Sequence, residues 1–298
     1  MKKLLLGTVL IAQLFGGLTP FDGFRAFEYL EKQVAMGPRI PGSETHLVCR
    51  DWIVTLCREY ADTVIIQEFS AYQPFARDTV AAWNIIARFD SGNSRRIMFS
   101  THWDTRPEAE LDPFFPKKPV PGANDGASGT AVLLELLPYI KDFSNGIGVD
   151  LVFWDAEDMG IAGSNTYFCQ GSEYYARNPV PPLPQKGILI DMIGDAELSV
   201  PVELNSSRYA PDLVAEVWDM AAKNGYAHVF LRKAGPEIYD DHVPLNRIAK
   251  IPTINLIDFH YTHAGKNLWH TTRDLPAYCS PRSLQIIGEI LLLWLEKQ

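Results

Sequence analysis

Apolar and β-branched runs bounded by turn residues recur along the chain at Val64 to Phe69, Ala82 to Arg88, Arg96 to Ser100, Val149 to Trp154, Gly187 to Ile190, Val200 to Leu204 and Thr253 to Ile257. Each predicts a strand. Helical periodicity lies between them at Phe24 to Met36, Glu44 to Tyr60, Ala127 to Ile140, Pro211 to Asn224 and Ser283 to Leu295, the last a strongly apolar closing helix. This alternation predicts a three-layer α/β/α fold around a largely buried, mixed central sheet. The connections 106–122, 159–184 and 258–268 are left over, and loops of that length in a compact domain are more often functional than accidental. Within them, the Pro-rich stretch Asn178 to Pro184 reads as a rigid connection. No repeat or Ser/Gly-rich linker divides the rest, so residues 21–298 are expected to form a single domain.

Composition narrows the partners more than it alters the fold. Among 298 residues, 47% are hydrophobic, enough for a sizeable core, and 27 basic against 36 acidic residues give a net charge of −9, which argues against nucleic acid. The first twenty residues open with Lys2-Lys3, continue as an apolar stretch and end in small residues, the layout of a signal peptide. Export to a periplasmic or extracellular space is therefore expected, and no stable membrane span is, because the apolar run is short and interrupted by Thr8 and Gln13. Cys49, Cys57, Cys169 and Cys279 have no metal-ligand spacing and are expected as buried free thiols.

The chemistry gathers where predicted strands end, the edge at which open α/β sheets bind ligands. Arg96 to Ser100 leads into His102-Trp103-Asp104; the turn Pro121 to Gly129 sets Asp125 just before an apolar helix; Val149 to Trp154 leads to Glu157-Asp158; and Gly187 to Ile190 leads to Asp191. Further along stand Ile238, Asp240-Asp241-His242 and Trp269-His270. Imidazole and carboxylate without thiolate are the ligand set of catalytic zinc. Each residue also has a plainer reading: Asp125 as a helix cap, Asp104, Asp240 and Asp241 as turn formers, Trp103 as core. His46, His228, His260 and His263 lack a comparable setting and are expected to be structural or exposed.

In these blocks, from Phe99 through Asp125, Phe153 to Asp158, Ile190 to Gly194, Tyr239 to Pro244 and Leu268 to Thr271, the chain resembles the zinc peptidases of family M28, and within them the glutaminyl cyclases. The resemblance implies an aminopeptidase-like α/β fold and one zinc ion held by Asp125, Asp158 and His270. It implies Glu157 as proton shuttle, Asp191 as the residue orienting the leaving amide, and Asp240 or Asp241 in a network with Glu157. Trp269, Ile238 and Met192 would wall the substrate pocket, and the substrates would be peptides or proteins with N-terminal glutamine. The segment Gln170 to Asn178 resembles a loop of the bacterial secreted members. If the chain were instead a two-zinc aminopeptidase of the family, His102 and Asp191 would hold a second ion, with Asp125 bridging. The chain departs from the animal enzymes in having Thr101 where they place a disulfide cysteine, and no tryptophan in Met159 to Ser164. Oligomeric state is open.

Overall fold

The computed structural model describes residues 21–143 and 145–298; the leader expected at 1–20 lies outside them. In chain order the elements are α1 (Gly23–Met36), α2 (Glu44–Tyr60), β1 (Thr63–Gln73), β2 (Asp78–Phe89), β3 (Arg96–His102), α3 (Ala127–Lys141), β4 (Gly148–Trp154), α4 (Gln170–Arg177), β5 (Gly187–Asp191), β6 (Val200–Val202), α5 (Leu204–Tyr209), α6 (Pro211–Lys223), β7 (Phe230–Ala234), β8 (Thr253–Ile257), β9 (Thr262–His263), β10 (Lys266–Asn267) and α7 (Pro281–Leu295). Asp22 starts α1 by accepting from the amides of Phe24 and Arg25, each at 3.0 Å, and Ser43 starts α2 by accepting from His46 at 3.2 Å.

Six strands form the central sheet in the order β1-β2-β4-β3-β5-β8, antiparallel through β4 and parallel from β4 to β8. Alternate residues divide between its two faces. Ile97, Phe99, Leu151, Phe153, Ile188, Ile190, Ile254 and Leu256 join α1, α2, α3, α6 and α7 in the main core, whereas Met98, Val152, Trp154 and Leu189 face Tyr175 of α4 and Leu245. Burial on both faces is why the strands read as largely apolar runs, broken only at positions such as Asp150 and Asn255, and each buried aliphatic or aromatic side chain contributes roughly 1.5–3 kcal/mol. The observed architecture is thus the three-layer α/β fold with a mixed sheet.

Three local expectations need correction. The strand expected over Val200 to Leu204 stops at Val202, because the Glu203 carboxylate takes the amides of Asn205 and Ser206 at 2.8 and 2.6 Å and turns the chain into α5. The segment Gln170 to Asn178, read as a loop, is the helix α4 up to Arg177. Finally β7, unmarked by any apolar run, pairs in parallel with β6 in a small second sheet.

Candidate metal centre and active-site cavity

At the carboxyl edge of the parallel strands, β3 ends in His102, β5 ends in Asp191, and β4 runs into a turn carrying Asp155 to Asp158. Asp125 joins them from the turn before α3. It does not cap that helix: Gly126 is the capping position, at φ +97°, and no side-chain capping bond is made, so the carboxylate is free to face the strand ends. A Cβ at Gly126 would stand 2.6 Å from the Asp104 carbonyl oxygen, and one at Gly129 would stand 2.1 Å from Thr101 Oγ1. Glycine is what lets α3 pack this closely on β3.

Asp125, Asp158 and His270 bring their ligand atoms within 4.8 Å of one another, all three buried. His270 Nε2 lies 3.3 Å from Asp158 Oδ1 and 3.7 Å from Asp125 Oδ2. Behind the ring, Nδ1 donates to Glu110 Oε1 at 2.8 Å, Arg106 donates to Glu110 Oε2 at 2.6 Å, and Arg106 also reaches Asp158 Oδ1 at 3.2 Å. Such an arrangement fixes the tautomer that leaves Nε2 with its lone pair turned to the site. Asp158 Oδ2 is buried with no hydrogen-bond partner. An orphaned carboxylate oxygen is costly in a protein interior, and a divalent cation satisfies it, so the donor set fits a metal with zinc's preferences. Burial alone would lower the His270 pKa, but the Asp158 charge and the hydrogen bonds to Asp158 and Glu110 raise it to about 9.

On the other side of Asp125, His102 Nε2 lies 3.1 Å from Asp125 Oδ1 and 3.1 Å from Asp191 Oδ1. Its Nδ1 has no hydrogen-bond partner. Asp104 Oδ1 stands 3.4 Å away, but the Asp104 carboxylate accepts from the amides of Glu157 and Asp158 at 3.0 and 3.1 Å.

Glu157 and Asp240 converge with Cys169 in a third buried group. Burial, opposed by His102 and reinforced by the charges of Asp240, Asp158 and Asp241, holds the Glu157 carboxyl well above the usual range. Asp191 is pushed to about 7 by burial, against its hydrogen bond to His102. Asp240 faces the cavity and accepts from Asn255 Nδ2 at 2.6 Å, whereas Asp241 turns to Ser172 of α4 and does not line the cavity.

The cavity measures about 520 Å³. Its apolar wall joins Ile238, Met192 and Trp269 with Phe259 and Ile257, and Trp269 packs at 4.8 Å on the Phe259 ring and at 3.7 Å on the His270 ring. Trp103 is not part of this wall; it is fully buried and stacks on His46 at 4.3 Å. His46 in turn holds Asp155 at 2.9 Å, and His242 pairs with Glu203 at 3.1 Å, so both are structural.

Residues 84–295 match the model of peptidase family M28. The chain belongs to this family. Among solved structures, it is similar to Porphyromonas gingivalis glutaminyl cyclase, at 34% identity and a TM-score of 0.89 over 94% of this chain and 100% of that one. Among curated proteins it is 24% identical to aminopeptidase YwaD of Bacillus subtilis, over 88% of this chain but 53% of that protein, so it spans about half of that relative's length. It is also 22% identical to the glutaminyl-peptide cyclotransferase of Drosophila melanogaster, over 80% of this chain and 70% of that one. No helix among the described residues is long and apolar enough to cross a membrane.

Four residues of this M28 site have no role assigned by the sequence reading. Asp104, read as a turn former, ties down the Glu157-Asp158 backbone. Asp274 accepts from the amides of Asn124 and Asp125 at 2.8 and 3.1 Å and holds the Asp125 turn. Glu110 supports His270, and the Cys169 thiol donates to Glu157 Oε1 at 3.3 Å. Of these, only Asp104 carries a signal in sequence, two residues beyond His102 at a strand end. Strain gathers at the site too. Of the nine non-glycine residues with positive φ among those described, Ala156, Cys169, Met192 and His270 border it, at 55°, 56°, 50° and 54°.

Proposed function

We propose that this chain converts the N-terminal glutamine of peptides or proteins into pyroglutamate with release of ammonia, using one zinc ion. A zinc ion held by Asp125, Asp158 and His270 would supply a Lewis acid for the γ-carbonyl oxygen. The α-amine nitrogen attacks the γ-carbonyl carbon, the new C–N bond closes the five-membered ring, and the bond to the amide nitrogen breaks. Glu157 takes one proton from the attacking nitrogen and returns it to the departing one, so that ammonia leaves and the carboxylate is restored. Asp191 accepts a hydrogen bond from the leaving amide. Asp240 shares the charge environment of Glu157 and keeps its affinity for the proton high. Trp269, Ile238 and Met192 press on the glutamine methylenes and hold the chain folded back on itself, the near-attack geometry that ring closure needs.

The observation that carries this reading is the unequal treatment of the two flanks of Asp125. Two three-residue ligand sets share Asp125, but only in Asp125-Asp158-His270 is the histidine backed through Nδ1, by Glu110 and Arg106, while His102 Nε2 lies against both Asp125 and Asp191. Full-length similarity to a bacterial glutaminyl cyclase adds support. A two-zinc aminopeptidase would instead need His102 and Asp191 as ligands. Incubating the protein with Gln-Ala and Leu-Ala dipeptides, and measuring ammonia against free amino acid, tests the proposal. Ammonia from Gln-Ala alone is expected; free alanine from both would sink it.

A further inference from the structure

Beside the main cavity lies a second, more polar pocket of about 390 Å³. Asn165, Glu237 and Tyr239 line both, so the two spaces adjoin. Their charge is opposite in character. Among the described residues, the main cavity is lined by seven carboxylates and by no lysine or arginine. The side pocket carries Arg208 and Arg247. Arg208 is spent on Glu237 at 2.7 Å, which neutralises the one carboxylate there. Arg247 makes no side-chain hydrogen bond or ion pair among the described residues, and its charge reaches the Tyr239 phenol between the two spaces.

A peptide whose amino group enters the acidic cavity can leave past this shared wall, and each extended residue carries it ~3.5 Å further. We propose that the side pocket is a subsite for the segment following the N-terminal glutamine, in which Arg247 selects a carboxylate side chain. The assignment rests on the cyclase reading and adds a substrate class to it: peptides with glutamine first and an acidic residue shortly after. Glu237, held by Arg208, separates the two charge regions, and Tyr239 and Tyr209 offer rings against which the intervening backbone can lie.

The test uses C-terminally amidated pentapeptides that start with glutamine, so that no free terminal carboxylate competes. Glutamate, glutamine or lysine is placed in turn at the second, third or fourth position, the remainder being alanine. Ammonia release gives kcat/KM for each. At one position glutamate should exceed lysine by a few-fold, up to ~5-fold for an ion pair at an exposed site. That preference should shrink at about 1 M salt, where the screening length is ~3 Å. Because the readout is a ratio of two substrates on one protein, it is independent of the overall activity of a variant. Arg247→Ala should bring the ratio to near one and Arg247→Glu should invert it. Equal rates for glutamate and lysine at all three positions, or a ratio untouched by Arg247→Glu, overturn the subsite while leaving the cyclase reading in place. Ammonia from none of the peptides overturns both.

Discussion

The two flanks of Asp125 are built from similar side chains and finished differently. On one, His270 is held through Nδ1 by Glu110, and Arg106 locks Glu110 and Asp158 into the same ring of contacts. On the other, His102 Nδ1 is buried and makes no hydrogen bond among the described residues; its neighbour is Asp104 Oδ1 at 3.4 Å, in a carboxylate that takes two backbone amides. A histidine with its far nitrogen secured is a prepared ligand; one without is free to serve as a hydrogen-bond partner. Ligand identity is thus shared by the two flanks, and the outer hydrogen bonds distinguish them.

The harshest way to break the comparison is to delete a ligand from the prepared flank. Asp158→Ala should abolish metal binding and turnover together, whereas Glu157→Gln should keep the metal and lower kcat by ~10²–10⁴-fold, the usual worth of a proton shuttle. Metal content by atomic absorption beside ammonia release reads both, and metal retained in Asp158→Ala would reverse the assignment of the flanks. A smaller effect is expected one step out. Glu110→Ala should weaken zinc affinity by ~10–100-fold, and His102→Ala by less, in competition with a chelating dye. Equal losses from the two variants, or two ions per chain at saturation, would erase the asymmetry.

The smallest effect is one of pH. Burial would raise the Glu110 pKa, but hydrogen bonds to His270 and Arg106 outweigh it and bring it down to about 2, from an ordinary 4.5. A carboxylate with a depressed folded-state pKa contributes stability that is complete above its unfolded value and lost as pH falls through the folded one. In chelator-treated protein, the stability difference between wild type and Glu110→Gln should be constant between about 4.5 and about 6.5, vanish toward about 2 as Glu110 is protonated, and shrink toward about 9 as His270 loses its proton. Urea midpoints across that range would show it, and a difference that grew on acidification would contradict the pairing.

How much of this is legible without coordinates depends on what each residue answers to. β3, β4, β5 and β8 are predictable because their two faces are buried and apolar residues dominate them, with Asp150 in β4 and Asn255 in β8 as single polar interruptions. β7 escapes because its exposed positions carry Arg232 and Lys233. α4 escapes because it has eight residues and starts from Cys169 in the left-handed region without a capping side chain. In the site, His102, Asp191 and the Glu157-Asp158 pair advertise themselves by standing at strand ends. Glu110 and Asp274 do not. They lie in irregular segments, and their importance comes from where the folded chain carries them, against an imidazole and against two amides. Asp240 and Asp241 are adjacent in sequence and inseparable there; only the packing of α4 against Asp241 tells them apart.

The backbone at Ala156 has a consequence for the evolution of such a site. It is buried at φ 55° immediately before Glu157, with only a methyl group to lose. Glycine there would relieve ~1–2 kcal/mol of left-handed strain. It would also widen the conformations open to the turn that carries the proton shuttle. A population selected for heat resistance alone would drift toward glycine at this position, and a population selected for turnover would hold alanine. Residue 156 touches no chemistry, yet it marks where the demands for durability and for speed pull apart.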